Sequence, residues 1–124
     1  MTEKIRIRLD NQFSLEIAAG DPENAPVDFL AVDRIQELSP YGMMLAGVGS
    51  CTSMVVMSYA ENHNINLDQI EIELDYQREF ADDCEKCEEI DHYEEHIDET
   101  IRLEGDISEA TKDKLKKIAH QCPL

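Results

Sequence analysis

The sequence predicts an α+β domain in which an antiparallel sheet packs around one long, central, apolar helix. Three observations point there. From Pro40 to Ala60 no residue carries a charge, in a chain that is 31% charged. On either side of that run, apolar and polar residues alternate with the period of two that marks half-buried strands. A last segment ending at Cys122 has helical spacing, with its charges ordered along its length. Strands, helix, strands and helix in that order give the antiparallel class. The 124 residues fit a single domain spanning 1–124, large enough for a real core.

The first strand is KIRIRLD, with Ile5, Ile7 and Leu9 alternating against Arg6 and Arg8. Phe13, Leu15 and Ile17 alternate likewise, and Asp10-Asn11 between them is a turn dipeptide, so a hairpin is expected. Asp21-Pro22 and Ala25-Pro26 mark a loop, followed by a short strand near Phe29–Val32. Arg34 lies in the connection to the core helix. Ser39 suits the N-cap of that helix and Pro40 its first position, where a missing N–H costs nothing. Met43, Met44, Leu45, Val48, Met54, Val55, Val56, Met57 and Tyr59 put apolar side chains on every face, the mark of a helix wrapped by other elements. Gly47, Gly49 and Ser50 thin it for close approach of another backbone. The polar run from Glu61 to Asn64 ends it, with His63 in a capping position.

The clearest alternation follows. Ile70, Ile72, Leu74, Tyr76 and Phe80 share one face of a long strand, and Glu71, Glu73, Asp75, Gln77 and Glu79 the other. After an acidic loop, Ile97, Ile101 and Leu103 point inwards along a second strand, interrupted by Glu99 and ended by Gly105. Ser108 caps the last helix. Glu109 in its first turn and Lys112, Lys114, Lys116 and Lys117 towards its end suit the helix dipole. Leu115, Ile118, Ala119 and Cys122 form its apolar stripe.

Twenty-eight acidic residues against 11 basic give a net charge of −17. Nucleic acids and anionic membranes are bound through Lys and Arg, so neither is an expected partner. The opening residues carry no apolar export signal, which points to the cytoplasm. The uncharged run is long enough to cross a bilayer, but it lacks flanking Lys or Arg and holds three Gly, three Ser and one Thr, so a core helix is the expectation.

Four cysteines in a cytoplasmic chain point to reactive or metal-binding thiols rather than structural disulfides. Cys51 and Cys122 each fall on the apolar face of a helix. Two such thiols can meet, or each can be a small buried hydrophobe. Cys84-x-x-Cys87, with His92 and His96 nearby, has spacing suited to one tetrahedral zinc or to a dithiol pair. Asp82, Asp83, Glu85, Glu88 and Glu89 around it raise thiol pKa values, which a bound cation would offset.

The stretch SPYGMMLAGVGSCTSMVVMSYAENHNI, the long alternating strand, the acidic loop, IRLEGDIS and a final helix ending IAHQCP together resemble the OsmC/Ohr family. These are the osmotically inducible and organic hydroperoxide resistance proteins. The likeness runs from about Ser39 to Pro123, and its most specific motifs are GSCT and the terminal CP. It implies an α+β homodimer with active sites at the subunit interface, reducing organic hydroperoxides with a dithiol reductant and no required cofactor. Carried over, it makes Cys51 the peroxidatic thiol and Cys122 the resolving one. The CxxC loop is similar to that of one branch of the family, where zinc is the candidate ion, held by Cys84, Cys87 and His92. The sequence departs from the pattern in three places. The Glu usual shortly after the helix-opening Pro is matched by Gly42, the family's Arg motif is missing and leaves Arg34 as the nearest candidate, and the His often found after the terminal CP is absent. The alternative expectation is a non-catalytic metal- or small-molecule-binding dimer of the same fold.

Overall fold

The computed structural model describes residues 3–80 and 93–121, and the side chains of 3–77 and 96–121. In chain order the elements are β1 (Lys4–Asp10), β2 (Leu15–Gly20), β3 (Leu30–Ala31), a 3-10 turn (Ile35–Glu37), α1 (Pro40–Asn62), β4 (Leu67–Phe80), β5 (Tyr93–Gly105) and α2 (Glu109–Ala119). The five strands form one antiparallel sheet in the order β3-β2-β1-β4-β5. Both helices lie on the same side of it. The alternation read from the sequence decides this: Ile5, Ile7 and Leu9 of β1 and Ile70, Ile72 and Leu74 of β4 are all 0% exposed on the helix side. Each such side chain contributes about 1.5–3 kcal/mol relative to staying in water.

The opposite face carries charge in matching register. Arg8 pairs with Glu71 across β1 and β4, and Glu71 with Arg102 across β4 and β5. Arg8 Nε donates to Glu71 Oε1 at 2.8 Å, and Arg102 Nη1 donates to Glu71 Oε2 at 2.8 Å and to Glu73 Oε2 at 3.0 Å. Burial pushes the Glu71 carboxyl up, but the hydrogen bonds from Arg8 and Arg102 outweigh it and leave the net shift downward. A one-residue slip would break these pairs and also turn the aliphatic row to solvent, so both faces specify one register.

The β1–β2 hairpin turns on Asp10, whose side chain accepts from the N–H groups of Gln12 and Ser14 at 2.9 Å each. Phe13, expected within the second strand, instead sits in this turn at φ 61° with its ring exposed. The turn hydrogen bonds override the alternation there, and β2 begins at Leu15.

Ser39 caps α1 as expected, its Oγ accepting from Gly42 N at 3.1 Å. At the other end His63 is the C-cap, with its ring stacked on Tyr59 and Nδ1 2.9 Å from the Tyr59 carbonyl oxygen. The buried residues of α1 are Gly42, Leu45, Ala46, Gly49, Thr52, Ser53, Val56, Met57 and Ala60, spaced by three or four as a single face requires. The expected wrapping on all sides therefore holds for one side only within a single chain. Met43, Met44 and Met54 remain 38–42% exposed on the other. Among the described residues α1 is the one helix long and apolar enough to cross a membrane. Its packing on the aliphatic row of the sheet makes it the core helix.

α2 is amphipathic, with Leu115 and Ala119 buried against the core. Ser108 Oγ accepts from Thr111 N at 3.2 Å, Glu109 lies in the first turn and Lys116 and Lys117 in the last, as the dipole favours.

Candidate active site

Gly49 fixes the rotation of α1. A Cβ at that position would lie 2.7 Å from both Ile7 Cγ1 and Leu74 Cδ1, so these side chains pack directly on the helix backbone. The close approach expected of the small residues is made here by aliphatic side chains rather than by another backbone. Gly47 has nothing within 4 Å and faces away from the sheet. Cys51 follows Gly49 by two residues, about 200° further round the helix. It is half-buried, on the side of α1 away from the sheet rather than in the core beneath it. On its face, at i−7, i−4, i+3 and i+7, stand Met44, Gly47, Met54 and Ser58, with half-buried Val48 and Val55 on its flank. The thiol thus lies at the middle of an uncharged, largely apolar surface that one chain leaves partly open.

The flank of α1 beside Cys51 faces the far half of the sheet and α2. Tyr41 stacks on Tyr76 of β4 with ring centroids 4.7 Å apart, and Tyr59, five turns later on the same line, has Lys114 Nζ of α2 5.7 Å from its ring centroid. Leu74, which touches Gly49, is paired across the ladder with Glu99 of β5. A cavity of about 370 Å³ is lined by Glu99, Thr100 and Ile101 of β5 and by Lys116 and His120 at the end of α2. α2 packs on α1, and its last turn comes beside Glu99, Thr100 and Ile101 of β5. Cys122 lies outside the described residues, two positions beyond His120.

Arg34 is the exposed N-cap residue of the 3-10 turn ahead of α1. Among the described residues no ion pair holds its guanidinium. The other arginines with described side chains are committed to the sheet: Arg6 lies 4.9 Å from the centroid of the Phe29 ring, Arg8 pairs with Glu71, and Arg102 with Glu71 and Glu73. Cys84, Cys87 and His92 lie outside the described residues, and His96 is half-buried in β5. Among the described residues no group of His, Cys, Asp or Glu is placed to hold a metal ion.

Sequence reasoning missed Glu3. Its carboxylate occupies the space that a side chain at position 42 would need. It accepts from Ser39 N at 3.1 Å and from Ser39 Oγ. Gly42 therefore leaves room for a carboxylate supplied from the start of β1, at a helix N-terminus that favours negative charge. Burial pushes the Glu3 carboxyl up, but the Ser39 hydrogen bonds outweigh it and the net shift is downward. A carboxyl with a lowered folded pKa stabilises above its unfolded value of about 4.3 and loses that contribution as pH falls through the folded one. Glu3→Gln is therefore expected to lower the melting temperature at pH 7, with the difference from wild type closing as acid is added. Thermal unfolding of both proteins across that range checks it. An equal difference at both ends would show that charge is not involved.

A five-stranded antiparallel sheet closed by a long apolar helix, with a half-buried thiol halfway along that helix, defines an α+β protein of one recognisable type. The chain belongs to the OsmC-like protein family, whose model matches residues 33–124. Two solved structures are similar to it. An OsmC-like hydroperoxide resistance protein from Jannaschia sp. CCS1 aligns at TM-score 0.56 and 14% identity, over 98% of this chain and 82% of that one. At that identity the likeness is one of fold. The organic hydroperoxide resistance protein OhrB of Bacillus subtilis aligns at TM-score 0.47 and 18% identity, over 99% of this chain and 87% of that one. A comparison with curated proteins returns no match.

Proposed function

We propose that this single-domain protein is a thiol-dependent peroxidase that reduces organic hydroperoxides, with Cys51 as the peroxidatic residue and Cys122 as the resolving one. The observation that carries the reading is the placement of half-buried Cys51 in the middle of the uncharged outer face of α1. Family membership and the hydroperoxide resistance named for the two similar structures agree with it.

In the first step the Cys51 thiolate attacks the distal peroxide oxygen. The O–O bond breaks, an S–O bond forms, and the alkoxide leaves as alcohol after taking a proton. Sulfur is oxidised by two electrons to a sulfenic acid. The Cys122 thiolate then attacks Cys51 Sγ, the S–O bond breaks, and hydroxide leaves as water after protonation. The resulting disulfide is reduced by an external dithiol through exchange. Met44, Met54, Val48 and Val55 surround Cys51 with apolar surface, which favours a greasy peroxide over a hydrated one. Arg34 is the cation offered for activating the thiol. Catalytic consumption of cumene hydroperoxide with a dithiol is the test. A rate no higher than that of the dithiol alone would contradict the proposal.

A second copy of the chain covers the outer face of α1. Met43, Met44 and Met54 would otherwise present their apolar surface to water, and Gly47 leaves room for close approach. Met54→Glu is therefore expected to turn a dimer into a monomer in sedimentation equilibrium. A wild-type monomer, or a variant with unchanged mass, would contradict this.

A further inference from the structure

The two edges of the sheet differ. β3 closes one side with two residues, too short to template another strand. β5 closes the other with 13, from Tyr93 to Gly105. It holds no Pro, and its register with β4 is unbroken from Tyr93 to Glu104. Among the described residues no strand pairs with its other edge. Ile97, Glu99, Ile101 and Leu103 lie on the helix side of β5, and His96, Asp98, Thr100, Arg102 and Glu104 on the charged outer face. Asp98 stands opposite Asp75 of β4, a like-charge pair, and among the described residues no ion pair neutralises either acid. Arg102 holds Glu71 and Glu73 through Nη1, which leaves Nε and Nη2 to donate elsewhere.

We infer that β5 is a docking edge for the β5 of a second copy, the two strands pairing antiparallel about a two-fold axis through Thr100. Such a contact is self-complementary, and the sequence of the strand selects its register. About that axis Asp98 faces the partner's Arg102, and Arg102 faces the partner's Asp98. Glu104 faces the partner's His96, Ile97 faces the partner's Leu103, and Thr100 faces its own counterpart. Opposite charges and Thr–Thr pairs are the favourable cross-strand pairs, and the partner's Arg102 brings the cation that Asp75 and Asp98 lack. The one mismatch is Glu99 against the partner's Ile101. Neighbouring registers are worse. An axis through Asp98, Glu99 or Arg102 sets that residue against its own like charge, and an axis through Ile101 sets Asp98 against the partner's Glu104. An axis between two residues would turn the apolar row of one copy to the charged face of the other. The net charge of −17 on each copy opposes contact. Pairing through this edge therefore belongs to concentrated protein at physiological salt, where exposed charges more than about 8 Å apart are screened. In dilute solution the outer face of α1, a separate surface, stays the expected contact.

The test compares Thr100→Cys with Asp98→Cys at millimolar protein and physiological salt in a glutathione redox buffer. Peptide mass mapping separates the new disulfides from those of the native thiols. Residues facing each other across antiparallel strands have Cα atoms about 4.5 or 5.5 Å apart, within reach of a disulfide, whereas the two position-98 residues would lie four residues apart along the strands, about 13 Å. Crosslinking at position 100 is therefore expected to run roughly tenfold faster, or more, than at position 98. Adding Asp98→Arg to Thr100→Cys sets like charge against the partner's Arg102 on both sides of the axis, and should lower the crosslink yield on the order of tenfold. Within the chain the same change removes the like-charge pair with Asp75, so the melting temperature should not fall, which separates lost pairing from unfolding. The crosslink should persist when Met54→Glu is added. Equal rates at positions 98 and 100, a yield that Asp98→Arg leaves unchanged, or a crosslink lost with Met54→Glu would overturn the inference and leave the peroxidase reading intact.

Discussion

Cys51→Ser is expected to lose dithiol-dependent hydroperoxide consumption altogether, a fall on the order of 10³ or more, since a serine hydroxyl is not ionised near neutral pH and takes no oxygen from a peroxide. The substitution removes no packing that the fold needs. Cys51 is half-buried on the side of α1 away from the sheet, while the core contacts of that helix are made by Leu45, Val56 and Met57. The melting temperature should therefore stay where it is, and the loss can be read as chemistry. Cys122→Ser is expected to behave differently. It should consume about two equivalents of peroxide and then inactivate, because the first forms a sulfenic acid that has no partner thiol and the second carries it to sulfinic acid. Full activity in Cys51→Ser would remove the thiol from the mechanism.

The largest effect on stability is expected from Gly105→Ala. Gly105 closes β5 opposite Leu67 and has φ +153°, a conformation that L side chains rarely adopt. A Cβ there would run into the carbonyl oxygen of Asn66, and would lie 3.0 Å from Asp68 N and 3.1 Å from Leu67 Cα. All three are backbone atoms at the start of the longest strand, so no side-chain rotation relieves the contact. A strained conformation and an overpacked site each cost about 1–3 kcal/mol, and together they should lower the melting temperature by roughly 10 °C. A melting temperature unchanged from wild type would mean that the β4–β5 ladder does not end as described.

The strands, both helices and their caps were legible because each rests on local chemistry. Ser39 and Ser108 cap the helices that they were expected to cap. The alternation in β1 and β4 selected Ile5, Ile7, Leu9, Ile70, Ile72 and Leu74 as the buried row, while Tyr76 is half-buried and the Phe80 side chain lies outside those described. What the sequence could not give was the rotation of α1. A helix apolar on every side carries no signal for which face meets the sheet, and only the contacts of Gly49 with Ile7 and Leu74 decide it. For that reason Cys51 reads as buried from its neighbours and yet stands on the outer face. Glu3 was illegible for another reason. Its partners, Ser39 and Gly42, are more than thirty residues away, and a lone acid near a chain start gives no periodic signal. Glu99 did leave a trace, as the break in the inward row of β5. The pairing of Cys51 with Cys122 rests on the resemblance, since Cys122 lies outside the described residues.

The most direct measurement is thiol titration with peptide mass mapping before and after one equivalent of an organic hydroperoxide. The account predicts the loss of two thiols and a Cys51–Cys122 crosslink that a dithiol reverses. Unchanged Cys51 and Cys122, with reaction confined to Cys84 and Cys87, would contradict it and move the chemistry to the CxxC segment.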